Sequence, residues 1–166
     1  MINAQRQPTL WAFFLPQEMS YERVAPFCAG DFVGWGTENR LVPIRKIKTS
    51  HWEVRSIDAT ANMYLTLAAV LSAGLLGLAE NVPLKWPDLS MGDWPDMTLD
   101  EIRAQAEPLP RSLNDSLSVL GSDFGGPDTM LNKRMVQHYV DLKRYELSRV
   151  EKMGPEKTRN LLIELF

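Results

Sequence analysis

The spacing of apolar and polar residues changes rhythm twice along the chain. Residues 1–8 are polar and predict a frayed start. Leu10 to Leu15 is an unbroken apolar run stopped by Pro16, and residues 9–15 are expected to form a short buried strand. Pro16, Pro26 and Gly30 mark residues 17–31 as a loop. Phe32-Val33-Gly34-Trp35-Gly36 is strand-like, with glycines where another backbone or a ligand can approach closely. Residues 41–47 and 51–57 alternate apolar with polar side chains, and Lys48-Thr49-Ser50 between them predicts a hairpin.

From Thr60 onward the period is helical. Thr60 is the expected N-cap of a long helix over 61–79. Pro83, Pro87 and Pro95 keep residues 81–97 out of helix. Thr98 and Glu101 have the spacing of a capping box opening a short helix, which Pro108 and Pro110 end. Ser112 opens another, with Leu113, Leu117 and Leu120 as its stripe, before a turn at 125–128. A longer helix is expected over 129–152, with Leu131, Met135, Tyr139 and Leu142 on one face. After Gly154-Pro155, residues 156–166 can form a last helix. The fold class is therefore α+β: a few antiparallel strands in the first third and a mostly helical remainder. The expected organisation is a single partial domain over 1–166, strand-rich over 9–57 and helical over 60–166. So few strands make an incomplete core sheet.

The 61–79 helix raises the question of a membrane, because no charge occurs between Asp58 and Glu80. The run is short for a span and diluted by Ala and Gly. Ala69, Ala73 and Gly77, at spacing four, suit close packing against the protein's other helices. No membrane association is expected. A net charge of −3 over 166 residues excludes a generally basic nucleic-acid binder. The single cysteine, Cys28, excludes an internal disulfide and a cysteine zinc cage; an inert thiol is expected, and its loop position leaves its exposure open. Such cysteine usage fits a reducing, cytoplasmic setting. Trp86 and Trp94 are expected to serve packing, and His138 to be a solvated helix residue.

Candidate chemistry concentrates in residues 20–58. Arg23, Arg40, Arg45 and Arg55 lie on or beside the expected strands. Alternation puts His51, Glu53 and Arg55 on one face, and Arg45 on the hairpin partner can join them. Guanidinium forks bind carboxylate and phosphate bidentately, and a carboxylate beside them can ligate a divalent ion carrying those phosphates. An ordinary exposed Glu–Arg pair on a strand gives the same spacing.

The order of these residues resembles the C-terminal half of the glutamine synthetase catalytic domain. Ser20-Tyr21-Glu22-Arg23 is similar to the family's SY-x-R segment. Asn39-Arg40 with Arg45 matches its NR-x4-R segment, and Glu53 to Leu65 its E-x-R-x2-D-x3-N-x-YL segment. Leu109-Pro110-Arg111-Ser112-Leu113 resembles the LP-x-SL block, and Val136, Tyr139, Lys143 and Glu146 the V-x2-Y-x3-K-x2-E ending. Trp35-Gly36-Thr37-Glu38-Asn39-Arg40 and His51-Trp52-Glu53-Val54-Arg55 are most similar to fungal glutamine-synthetase-like (FluG-type) proteins.

The resemblance implies ATP-dependent ligation of ammonia to glutamate through γ-glutamyl phosphate, with Mg2+ or Mn2+. It implies that Arg23 holds the substrate carboxylate and that Arg40 meets the transferring phosphoryl group. Arg45 would contact nucleotide phosphates, Glu53 would ligate the metal, and Arg55 would bind substrate or phosphoryl oxygens. The family's flap glutamate has no counterpart in 26–30, which opens the site to another amine. His51 stands where many relatives carry arginine. The family's other metal carboxylates precede the portion matched here. The expectation is a fragment inactive alone, forming homo-oligomers or joining full-length relatives; a non-catalytic interaction or regulatory protein is the alternative.

Overall fold

The computed structural model describes residues 7–25, 28–81, 83, 84, 86–90, 98–123 and 131–166. Most of the expected frayed start, Trp94 and the turn at 125–128 lie outside the described residues.

The first element is a helix, α1 (Gln7–Phe14), where the sequence pattern predicts a strand over 9–15. Leu10 through Leu15 are all buried, so the helix is apolar on every face and shows no 3.6-residue rhythm. Pro8 sits in its first turn, where a missing N–H costs nothing. α1 is the centre of the main core. Ala69 and Ala73 of α2 (Met63–Ala79) pack around it. So do Leu113, Leu117 and Leu120 of α4 (Leu113–Asp123) and Val136, Tyr139 and Val140 of α5 (Lys133–Glu151).

The carbonyls at the C-terminal end of a buried helix need partners from elsewhere. Each comes from a different part of the chain. Tyr139 donates its hydroxyl to the Ala12 carbonyl at 2.7 Å, and Thr66 Oγ1 donates to Phe13 O at 3.2 Å. The Asp58 amide donates to Phe14 O at 2.9 Å. Tyr139, from the family-like ending, thus does structural work, with the Lys143 ammonium 5.9 Å from its ring centroid.

The helix boundaries differ from the sequence reading by a few residues. Asn62, not Thr60, caps α2, accepting from the amides of Tyr64 and Leu65. Thr60 is held in an Asx turn, its amide donating to Asp58 Oδ1 at 2.8 Å. α5 starts after Asn132, and its buried face centres on Val136, Tyr139 and Val140, leaving Leu142 exposed. The capping box at Thr98–Glu101 opens α3 (Leu99–Gln105) as expected, and α6 (Pro155–Leu165) closes the chain. Residues 17–31, expected as loop, include a 3-10 helix over Glu18–Arg23.

The sheet has the order β1-β2-β3, made of Trp35–Thr37, Ile44–Lys48 and His51–Val54. β2 and β3 form the expected antiparallel hairpin, with a bulge between Lys46 and Lys48 and Ser50 at φ 61° in the turn. β1 runs parallel to β2, so the sheet is mixed and not purely antiparallel. Residues 38–43 make this reversal with Glu38 in the left-handed region at φ 55°. Phe32, Val42, Leu89 and Ile102 form a second apolar cluster.

No described helix is long and apolar enough to cross a membrane. α2 is buried on one face only. Thr66, Ala69, Ser72, Ala73 and Leu76 point inward, while Leu67, Leu71, Leu75 and Leu78 are exposed, which corrects the expectation of a helix buried against its neighbours.

Candidate functional site

Arg45 is the second residue of β2, and the antiparallel register sets Glu53 of β3 directly opposite it. Side chains opposed in this way are close enough to pair. Arg45 Nη1 donates to Glu53 Oε2 at 3.2 Å, and Nη2 donates to Glu38 Oε2 at 2.6 Å. The guanidinium is therefore clamped between two carboxylates, which push its pKa further up. Glu38 is a participant that sequence reasoning passed over, although it stands inside the Trp-Gly-Thr-Glu-Asn-Arg run. Its left-handed backbone turns its carboxylate toward β2.

Asn39, next along, is a positioning residue. It is fully buried, donates Nδ2 to the Leu89 carbonyl at 2.6 Å and accepts from the Leu41 amide at 2.8 Å. The same 86–89 segment pairs with β1: Leu89 N donates to Trp35 O, and Asp88 accepts from the Thr37 amide and hydroxyl at 2.7 and 2.6 Å. This fixes the turn that presents Arg40.

Arg55 follows the end of β3 and does not share a strand with Glu53, contrary to the 51–57 alternation. Its Nη1 donates to the carbonyls of Arg40 and Cys28. Arg23 reaches the carbonyls of Arg55 and Ile57 at 3.4 and 3.5 Å. Arg40 is exposed, with no hydrogen-bond or ion-pair partner for its guanidinium among the described residues. Burial lowers the pKa of Arg55; Glu53 opposes this, and Arg40, Arg45 and Arg23 add to the lowering. Arg40, Arg45 and Arg23 are thus close enough to act on Arg55, and Glu53 is the carboxylate that offsets them there. A polyanion entering among them relieves their repulsion of Arg55. His51 is exposed at the hairpin end of β3, Cys28 is an exposed free thiol and His138 is exposed on α5.

Asp58 ties this region to the core. Burial alone would raise its pKa, but the Thr60 amide, the Ser20 and Thr60 hydroxyls and Arg23 together hold it below the ordinary carboxylate range. Such a group contributes stability above its unfolded pKa of about 4, and the contribution is lost as pH falls through the lower folded value. Asp58→Asn is therefore expected to destabilise the protein at pH 7, with the difference from wild type shrinking below about pH 4. Urea unfolding of both proteins at pH 7, 4 and 3 checks this; a gap that widens on acidification contradicts it.

Together these features define an α+β domain with a guanidinium-rich face at the end of a small sheet. A family model described as "Glutamine synthetase, catalytic domain" matches residues 4–160, and the chain belongs to that family. It is 37% identical over 168 residues to Protein fluG of Emericella nidulans, covering 98% of this chain and 19% of that protein. It is 35% identical over 128 residues to gamma-glutamylpolyamine synthetase GlnA3 of Streptomyces coelicolor, covering 70% and 27%. Among solved structures, ligand-free GmaS superposes with a TM-score of 0.71 at 26% identity, covering 95% of this chain and 35% of that one. The chain thus spans a fifth to about a third of the length of these relatives.

Proposed function

We propose that this chain is part of the catalytic domain of an ATP-dependent carboxylate–amine ligase of the glutamine synthetase type. On this reading it is a single partial domain over 1–166, supplies one wall of the site and is inactive alone. The observation that carries the reading is the gathering of Arg23, Arg40, Arg45 and Arg55 with Glu53 at the end of the sheet. In the reaction, an oxygen of the glutamate γ-carboxylate attacks the terminal phosphorus of ATP. The bond from that phosphorus to the bridging oxygen breaks, and ADP leaves γ-glutamyl phosphate behind. Ammonia, or another amine, then adds to the acyl carbon, loses a proton and expels inorganic phosphate.

Arg23 holds the amino-acid carboxylate and Arg55 the substrate or phosphoryl oxygens. Arg40, free of other partners among the described residues, meets the transferring phosphoryl group. Arg45 takes nucleotide phosphates by exchanging a carboxylate for them. Charge stabilisation and positioning are the main tasks of a phosphoryl-transfer site, and guanidinium groups do both. A cytoplasmic setting and assembly with like or longer chains accompany this reading.

The reaction type calls for Mg2+ or Mn2+ beside the phosphates, and Glu53 can offer it one ligand. The described residues do not fit the ion by themselves. No group of three or more His, Cys, Asp or Glu among them can hold a metal, and Glu53 is engaged with Arg45. One carboxylate is too few ligands for either ion.

The test is glutamine formation from glutamate, ammonium and ATP with Mg2+ or Mn2+. The expected result is no turnover by the chain alone, and weak nucleotide binding that falls about tenfold in Arg45→Ala and weakens with added salt. Turnover by the chain alone that disappears in Glu53→Ala contradicts the single-wall reading. Binding indifferent to both Arg45→Ala and salt contradicts the assignment of the site.

A further inference from the structure

Arg45 differs from the other three arginines in what it holds. Among the described residues, Arg23 and Arg55 donate only to main-chain carbonyls, and the Arg40 guanidinium has no partner. A carbonyl leaves a guanidinium its full charge. Arg45 instead meets two carboxylates, Glu38 at 2.6 Å and Glu53 at 3.2 Å. Each takes one hydrogen bond from the fork, and Nε is buried with no acceptor, so neither contact is bidentate. The two carboxylates also arrive differently. Glu53 pairs with Arg45 by strand register, the ordinary consequence of a hairpin. Glu38 lies in the turn after β1 and reaches Arg45 through backbone at φ 55°, a conformation that costs a glutamate free energy and persists only when its surroundings enforce it. They do: the Glu38 amide donates to Lys46 O at 2.9 Å, and the neighbouring Asn39 is fully buried.

We propose that Glu38 is a specificity-determining residue: it is the resident anion on Arg45, barring single carboxylates from that guanidinium and yielding it to polyphosphate. The inference rests on the ligase reading above, in which a carboxylate substrate and a phosphate substrate enter one cluster of arginines and have to be sorted. Both carboxylates on Arg45 are about half exposed, whereas the Arg45 side chain is 14% exposed, so a dissolved anion reaches the guanidinium by replacing one of them. A carboxylate that replaces Glu38 exchanges one charge-assisted contact for a like one, and it loses its own freedom on binding. A polyphosphate brings several negative charges on one molecule and interacts with the neighbouring guanidiniums as well, so it gains where a carboxylate does not. Glutamate is thereby left to the arginines that are not neutralised, and Arg45 stays open for phosphates.

Glu38→Gln removes the charge and keeps the shape and an accepting oxygen. The readout is the Arg45 Nε–H NMR resonance of the full chain, assigned by its loss in Arg45→Ala. The titrants are inorganic tripolyphosphate and glutamate, at matched ionic strength. In the wild type, tripolyphosphate is expected to move the resonance and glutamate to leave it in place. In Glu38→Gln, tripolyphosphate is expected to bind about tenfold more tightly, and glutamate is expected to move the resonance too. Glu53→Gln is expected to keep glutamate out, because Glu38 still holds Nη2. In calorimetric titration with tripolyphosphate, adding Glu38→Gln to Arg45→Ala is expected to change the affinity by less than about twofold.

Tripolyphosphate binding to Glu38→Gln that is no tighter than to the wild type overturns the proposal, since a merely structural Glu38 gives a loss and not a gain. So does glutamate that already moves the wild-type resonance, or that moves it in Glu53→Gln as much as in Glu38→Gln. So does a Glu38→Gln gain that survives in Arg45→Ala. The ligase reading fails separately: the expected pattern with tripolyphosphate, in a chain that binds neither ATP nor ADP, keeps the sorting by Glu38 and discards the ligase chemistry.

Discussion

Gly36→Ala is expected to lower the folding stability by about 3 kcal/mol, the upper end of ordinary overpacking. A Cβ at Gly36 would lie 2.2 Å from the Leu89 carbonyl oxygen, 2.8 Å from its carbon and 2.9 Å from Asn39 Cβ. Two of these atoms are backbone and cannot turn aside as a flexible side chain does. Relief requires the 86–89 segment to move away from β1. That stretches the Leu89–Trp35 and Asn39–Leu89 hydrogen bonds together. Because Asn39 holds the turn that presents Arg40, the same variant is expected to weaken nucleotide binding. Gly121→Ala is the contrasting control. Nothing lies within 4 Å of its new methyl group, and it sits inside α4, so it is expected to add up to about 1 kcal/mol. Urea unfolding of the two variants should move in opposite directions; a neutral Gly36→Ala contradicts the close approach.

The second large effect is expected at Arg103. Asp31 is 4% exposed and accepts from Arg103 Nε at 3.0 Å. Its other partner, Arg111, is mostly in water and stands 3.5 Å away. Arg103→Met leaves a buried carboxylate with one weak partner, at an expected cost of about 3 kcal/mol. Asp31→Leu combined with Arg103→Met removes both charges and is expected to recover most of that loss, because a buried ion pair often does no better than apolar side chains of similar size. A double variant as unstable as Arg103→Met alone would show that the charge itself, and not its abandonment, matters.

What the sequence made legible divides along physical lines. The β2–β3 hairpin and the Thr98–Glu101 capping box were visible because they depend on neighbours a few residues away, whereas the cap of α2 fell at Asn62 and not at Thr60. α1 was not, because burial on every side erases the periodicity that distinguishes helix from strand. The parallel pairing of β1 with β2 was hidden for another reason: it depends on Glu38 adopting a left-handed conformation, and a non-glycine residue gives little local sign of that. At the candidate site, motif resemblance picked out Arg23, Arg40, Arg45, Glu53 and Arg55, and the fold brings their charges within reach of Arg55. Strand alternation alone would have kept Arg55 on β3 beside Glu53. Several other motif positions prove to be scaffolding. Asp58 closes an Asx turn, Asn62 caps α2, Ser112 accepts from the Asp115 amide at the start of α4 and Tyr139 binds a main-chain carbonyl of α1. Spacing reports that such residues matter without reporting whether they touch a substrate or a backbone.

The enclosure of α1 has a consequence for how the protein is made. The helix at the centre of the core leaves the ribosome long before its cover does, since the Tyr139 hydroxyl that satisfies Ala12 lies 127 residues downstream. At bacterial or eukaryotic synthesis rates that gap is on the order of ten seconds. Throughout it, Trp11, Phe13 and Phe14 have only part of their shelter, first from α2 and then from α4. Nascent chains should therefore engage chaperones through the Leu10–Leu15 run, and release should coincide with the emergence of α5.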